Sequence, residues 1–168
     1  DVLEDIKSFN ENLFLCCLLT YGCLLRPHRE IRQLTWGDFS DDLTFISLSG
    51  DRNKSGRNRI VPVTSSVRAY LKPKERHLNI FSGSPTPFNQ DYFKTLWGRY
   101  KAQSELIQRD QTLYSFRHTG AIDVFQRTGS LTKLQQVMGH SNMTVSMGYL
   151  RNLELPTLTM EDMPDIDS

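Results

Sequence analysis

A mainly α fold with a small antiparallel β-sheet is what this sequence predicts, on three observations. Apolar residues recur at three-and-four spacing in several separate segments, two of them closed by the helix stops Gly129 and Gly139. Two short runs of β-formers flank one polar, turn-prone stretch, the pattern of a hairpin. A length of 168 residues and an apolar share of 38% suit one domain with an ordinary core.

The chain opens on a helical pattern without a start methionine, as expected of a domain taken from a longer protein. Residues 11–25 are apolar on every side and predict a buried helix. Pro27 suits the first turn of a new helix, expected to run to about Leu34 and to end at Trp36-Gly37-Asp38. Residues 43–49 and 59–63 are the two strands, with residues 50–58 as the tip between them. Pro62 puts the second strand at an edge or near its end. Residues 65–72 form a helix. Residues 89–103 form another, with Phe93, Leu96, Trp97 and Tyr100 on one face. Helices over 115–128 and 131–138 follow, then a short one over 144–150. Pro156 and Pro164 leave the tail loose, with one helical turn at most.

The formal net charge of +1 hides an asymmetry. Residues 1–151 hold all 20 Lys and Arg and 14 of the 19 acids, a balance of +6. Residues 152–168 hold Glu154, Glu161, Asp162, Asp165 and Asp167 with no base, a balance of −5. A basic body suggests an anionic partner. Cys16, Cys17 and Cys23 all lie in one apolar run. Their odd number and their spacing argue against a disulfide framework and against zinc; they read as buried small hydrophobes in a reducing, cytoplasmic compartment. That run is about 13 residues long, short of the roughly 20 that span a bilayer, so no membrane partner is expected.

Three segments carry groups suited to chemistry. The first is Arg26-Pro27-His28-Arg29-Glu30, with Leu34, Trp36 and Asp38 beyond it. The second is the basic hairpin around Lys54, with Arg52, Arg57 and Arg59. The third is Tyr114-Ser115-Phe116-Arg117-His118, followed by Gly139-His140 and, nine residues on, Tyr149. Singly, each is an ordinary surface charge, cap or half-buried tyrosine. In this order they resemble the tyrosine recombinase (phage integrase) family. The resemblance rests on Glu30, Leu34, Trp36 and Asp38; on Lys54 followed by Arg59-Ile60-Val61-Pro62; on Arg117-His118; on Met138-Gly139-His140; and on Tyr149. It covers roughly residues 12 to 151.

The resemblance implies the catalytic-domain fold of DNA breaking and rejoining enzymes, and site-specific strand exchange through a 3′-phosphotyrosyl link. It implies Tyr149 as nucleophile, Arg26, Arg117 and His140 around the phosphate, and Lys54 as the acid for the leaving 5′ oxygen. Glu30 and His118 are supporting residues, or, for His118, a core histidine. Arg52, Arg57 and Arg59 are expected DNA contacts. Residues 1–151 are the expected catalytic domain and 152–168 an acidic tail that docks on a neighbouring protomer. An N-terminal core-binding domain is expected outside this chain. The implied partner is double-stranded DNA, held by a homotetramer on two duplexes, with a monomer for the isolated domain. The implied setting is a mobile element in the bacterial cytoplasm, at the nucleoid. No cofactor and no metal are expected.

The residue types fit that chemistry on their own terms. A phosphodiester repels nucleophiles, so cutting one needs cations on its oxygens, a nucleophile and an acid for the leaving group. Arginines supply planar, permanently charged forks. Arg117 near a helix start adds unpaired N–H groups that favour an anion. Two positions depart from the family pattern. Its first arginine stands three before the glutamate, where this chain has Pro27. Arg26, at i, i+4 from Glu30, is the better choice than Arg29, which points about 100° away. The histidine expected three before Arg117 is Tyr114, which stays in the expected catalytic set because its hydroxyl can still hydrogen-bond a phosphate, but it is a poor proton shuttle near neutral pH. Supercoil relaxation by a type IB topoisomerase-like route, or a DNA-binding relative without catalysis, are the alternatives.

Overall fold

The computed structural model describes residues 1–49, 58–108, 110–139 and 159–164. Helix α1 (Val2–Phe9) starts on the Asp1 carboxylate, which accepts from the Leu3 N–H, and carries Glu4 and Asp5 in its first turn where the dipole favours them. Asn10 then serves both sides of a corner. Its extended backbone closes α1 by donating to the Ile6 carbonyl, while its side chain accepts from Leu13 N–H at 2.9 Å and caps α2 (Glu11–Gly22).

Helix α2 is the centre of the fold, packed against α1, α3 (Ser65–Arg68), α4 (Tyr92–Gln103) and α5 (Tyr114–Thr128). It is buried on nearly every side, as its sequence predicts, with Leu13, Phe14, Cys16, Cys17 and Leu19 in the core and Tyr21 emerging. The three thiols are buried, and desolvation raises all of their pKa values, pushing Cys23 up to about 12. They pack as hydrophobes rather than react.

The predicted helix from Pro27 does not form. Residues 27–30 make a turn and Ile31–Gln33 a 3-10 turn. Both Glu30 and Ile31 donate to the Arg26 carbonyl, so the turn widens beyond the helical ladder although Glu30, at φ −108° and ψ −56°, stays in the right-handed region. The cause is tertiary: the Glu30 carboxylate folds back to accept the Arg26 N–H at 2.7 Å and is committed to a distant arginine. Downstream, Asp38 accepts from Thr35 N–H at 2.9 Å and fixes a second 3-10 turn, Trp36–Asp38, with Trp36 buried beside Phe39.

Strands β1 (Phe45–Leu48) and β2 (Arg59–Pro62) pair antiparallel, with Ile46 opposite Val61 and Leu48 opposite Arg59. Leu43, at φ 63°, turns the chain before β1 and shortens it from the predicted 43–49. Ile46, Leu48, Arg59 and Val61 face inward, while Phe45 and Ile60 face out. The hairpin tip, residues 50–57, lies outside the described residues.

Helix α3 is shorter than predicted, Ser65–Arg68. Helix α4 (Tyr92–Gln103) buries Phe93, Trp97 and Tyr100 as its spacing predicts. Helix α5 (Tyr114–Thr128) ends at Gly129 with φ 63°. Ser130 caps α6 (Leu131–Met138) by accepting from Lys133 N–H at 3.1 Å, and Gly139 closes it. Helix α5 crosses the end of α2 at Gly120, where a Cβ would lie 2.5 Å from Leu24 Cδ2. Leu24, Ala121, Leu134 and Met138 make a small second core that binds α5 and α6 to this crossing. The tail contributes a 3-10 turn, Met160–Asp162; the predicted helix over 144–150 lies outside the described residues. Among the described residues no helix is long and apolar enough to cross a membrane.

Candidate active site

The site is built on the segment that leaves α2. Leu24 takes a left-handed backbone, φ 57°, uncommon for a bulky residue and a local cost of order 1 kcal/mol or more. Its side chain joins the α5–α6 core, and its carbonyl accepts from Arg117 Nε at 2.8 Å. Two residues on, Arg26 is 7% exposed. It donates to Glu30 twice, from its backbone N–H at 2.7 Å and from Nη1 at 3.4 Å. Arg29 is exposed and turned away, beside a cleft of about 360 Å³ with His28, Lys94 and Asp91.

Glu30 is 1% exposed, so its charge needs partners. The principal one is Arg59, which grips both carboxylate oxygens, Nη1 to Oε2 at 2.9 Å and Nη2 to Oε1 at 3.1 Å. Arg59 is therefore not the surface DNA contact expected from the basic hairpin; it is 5% exposed and faces the core. Strand alternation carried the signal, because Arg59 shares its face with Val61 and Val63.

Arg117 is the fourth residue of α5 and 1% exposed. Its Nε reaches the Leu24 carbonyl and its Nη2 the Met138 carbonyl at 2.6 Å, so one guanidinium joins the α2 exit to the end of α6. The N–H groups expected to be open at the start of α5 are in part used: Ser115 and Phe116 donate to the carbonyls of Thr112 and Leu113. An anion here would meet the side chain more than the helix end. Gly139, at φ 70°, lies against Arg59, and a Cβ on it would sit 3.0 Å from Arg59 Cδ and 3.1 Å from Cζ. Glycine is needed at that position on both counts.

Tyr114 is 43% exposed at the start of α5, with its ring 6.1 Å from that of His28. His28 carries no role in the sequence reading, although it lies between Arg26 and Glu30. It is half-buried, and its Nδ1 is buried without a hydrogen-bond partner among the described residues. Burial foremost, then the Arg32 and Lys94 cations, hold its imidazole below the ordinary histidine range, against a pull from Asp91. The unfolded chain thus protonates His28 first, and stability is lost as pH falls through the unfolded value towards the folded one. Thermal unfolding at about pH 7.5 and about pH 5.5 should show a larger drop for the wild type than for His28→Asn. Equal drops would mean that His28 is solvated in the fold. His118 is exposed, so it is not a core histidine. Lys54, Arg52, Arg57, His140 and Tyr149 lie outside the described residues.

The model of the phage integrase family matches residues 3–155. The chain belongs to the phage integrase family. Within that family it is 24% identical to the tyrosine recombinase XerA of Pyrococcus horikoshii over 159 residues, covering 90% of this chain and 55% of that one. It is 28% identical to the tyrosine recombinase XerC of Rhizobium meliloti over 148 residues, covering 78% and 42%. This integrase-family chain thus spans about half the length of the curated relatives it matches. Among solved structures, a XerA recombinase superimposes with a TM-score of 0.70 at 18% identity, covering 88% of this chain and 55% of that one. The Tn1549 transposon integrase, in complex with a circular intermediate DNA, does so with a TM-score of 0.67 at 20% identity, covering 95% and 59%. These likenesses show the phage integrase catalytic-domain fold expected from the sequence.

Proposed function

We propose that this chain is the catalytic part of a site-specific tyrosine recombinase that cuts and rejoins duplex DNA. The observation that carries the reading is the bond from Arg117 Nε to the carbonyl of Leu24, two residues before Arg26. It brings two arginines 91 positions apart in sequence to one joint, as a clamp on a single phosphate needs. Tyr149 attacks the phosphorus and leaves a 3′-phosphotyrosyl link. Lys54 gives a proton to the departing 5′ oxygen, while Arg26, Arg117 and His140 hold the charge on the nonbridging oxygens. The covalent link conserves the bond energy until a 5′ hydroxyl from a partner duplex attacks it. Four copies on two duplexes would make that exchange, with the acidic residues 152–168 docking between neighbours.

A nicked duplex drawn from the flanks of the gene tests the reading, because the cut fragment diffuses away and traps the covalent adduct. A protein–DNA species that survives denaturing electrophoresis is expected. Relaxed circles without joint molecules would favour the relaxation route, and binding without an adduct would make the chain an inactive relative.

The two candidate first arginines separate in the same assay. Arg26→Ala should slow cleavage by about a hundredfold or more, the usual loss for a clamp on transition-state charge. Arg29→Ala, on an exposed side chain, should cost only a few-fold. The reverse order in measured rates would move the clamp to Arg29.

A further inference from the structure

We propose that Arg59 is a positioning residue for the cut: it holds Glu30 on its own fork, leaving the Arg26 charge available to a phosphate, and it supports the turn that leads into His140. The proposal rests on the function proposed above. Both oxygens of Glu30 are gripped by Arg59 at 2.9 and 3.1 Å, whereas the Arg26 side chain reaches one of them at 3.4 Å. The short contact from Arg26 is its backbone N–H, at 2.7 Å. Glu30 therefore fixes the Arg26 main chain firmly and its guanidinium loosely. Two guanidinium groups around one carboxylate leave this trio with a surplus positive charge.

Without Arg59 the surplus vanishes. A carboxylate 1% exposed cannot stay unpaired, so it would take the Arg26 guanidinium as its sole charged partner. An incoming phosphate would then compete with Glu30 for Arg26. The second contact acts on the other side of the site. Gly139 rests on the Arg59 side chain, and the Met138 carbonyl before it is held by Arg117 at 2.6 Å. Two buried arginines from different elements thus fix the last turn before His140. Arg59 also opens β2, five residues after Lys54 on the same hairpin.

The test compares Arg59→Met with Arg59→Met/Glu30→Gln on nicked duplexes whose scissile group is either an ordinary phosphodiester or a charge-neutral methylphosphonate. Arg59→Met should cut the phosphodiester about a hundredfold more slowly. Removing the Glu30 charge as well should recover about tenfold, a coupling that independent defects would not show. On the methylphosphonate the loss should shrink to a few-fold, because there is no phosphate charge for Arg26 to meet. Equal losses on both substrates, deepened by Glu30→Gln, would overturn the proposal and make Arg59 a packing residue. Arg59→Lys keeps a cation beside Glu30 and guards against a misfolded Arg59→Met; it should cleave within about tenfold of the wild type. If the wild type forms no adduct, the proposed function fails and the electrostatic claim is read without catalysis. Inorganic phosphate should shift the Arg26 Nε–Hε resonance of the wild type and of the double variant more than that of Arg59→Met. Equal shifts in all three would overturn it.

Discussion

Tyr149→Phe should reduce the covalent protein–DNA adduct below detection while changing DNA affinity by no more than about twofold, since binding is carried by phosphate contacts that the substitution leaves in place. The change deletes one oxygen, the one assigned to attack phosphorus, and keeps the ring. A phenylalanine has no electron pair to offer, so the first step has no route rather than a slower one. Tyr114 is the rival phenol, 43% exposed at the start of α5 and three residues before Arg117. Tyr114→Phe should keep adduct formation within about tenfold, the scale of one ordinary hydrogen bond lost. An adduct that persists in Tyr149→Phe and vanishes in Tyr114→Phe would reassign the nucleophile.

What was legible in this sequence was what neighbours in sequence decide. The apolar run of α2 and the stops at Gly129 and Gly139 are local signals, and those helices form where they point, except that α2 ends at Gly22 rather than at the expected residue 25, because Leu24 turns into a left-handed backbone. The helix expected after Pro27 fails because its geometry is set by Glu30 bonding Arg59, 29 positions away, and no local pattern encodes that. Arg59 is an intermediate case. Its alternation with Val61 and Val63 marks an inward residue, but its basic neighbours Arg52, Lys54 and Arg57 made it look like part of a surface patch. The role of Arg117 as a strut was illegible for another reason: its acceptors are backbone carbonyls, which every residue carries. Lys54, His140 and Tyr149 rest on the motif, since they lie outside the described residues.

Arg117→Ala should carry two costs, and they can be measured apart. The first is to stability. The carbonyls of Leu24 and Met138 would lose charged donors at 2.8 and 2.6 Å, and the buried volume of the side chain would be left as a gap. Each stranded buried acceptor costs about 1–3 kcal/mol, so an overall loss of about 3–5 kcal/mol is expected. The second is to the reaction, where loss of the fork from the phosphate should slow cleavage by at least about a hundredfold. Arg117→Lys separates the two. An ammonium can still reach one carbonyl, so the fold should survive with a lower Tm. It cannot reproduce a planar fork that spans Leu24, Met138 and a phosphate together. Cleavage measured at a temperature where both proteins are fully folded should therefore stay about a hundredfold down in Arg117→Lys. A rate that returned to wild type once the fold was secured would make Arg117 a strut between the α2 exit and α6, and would leave the phosphate to Arg26.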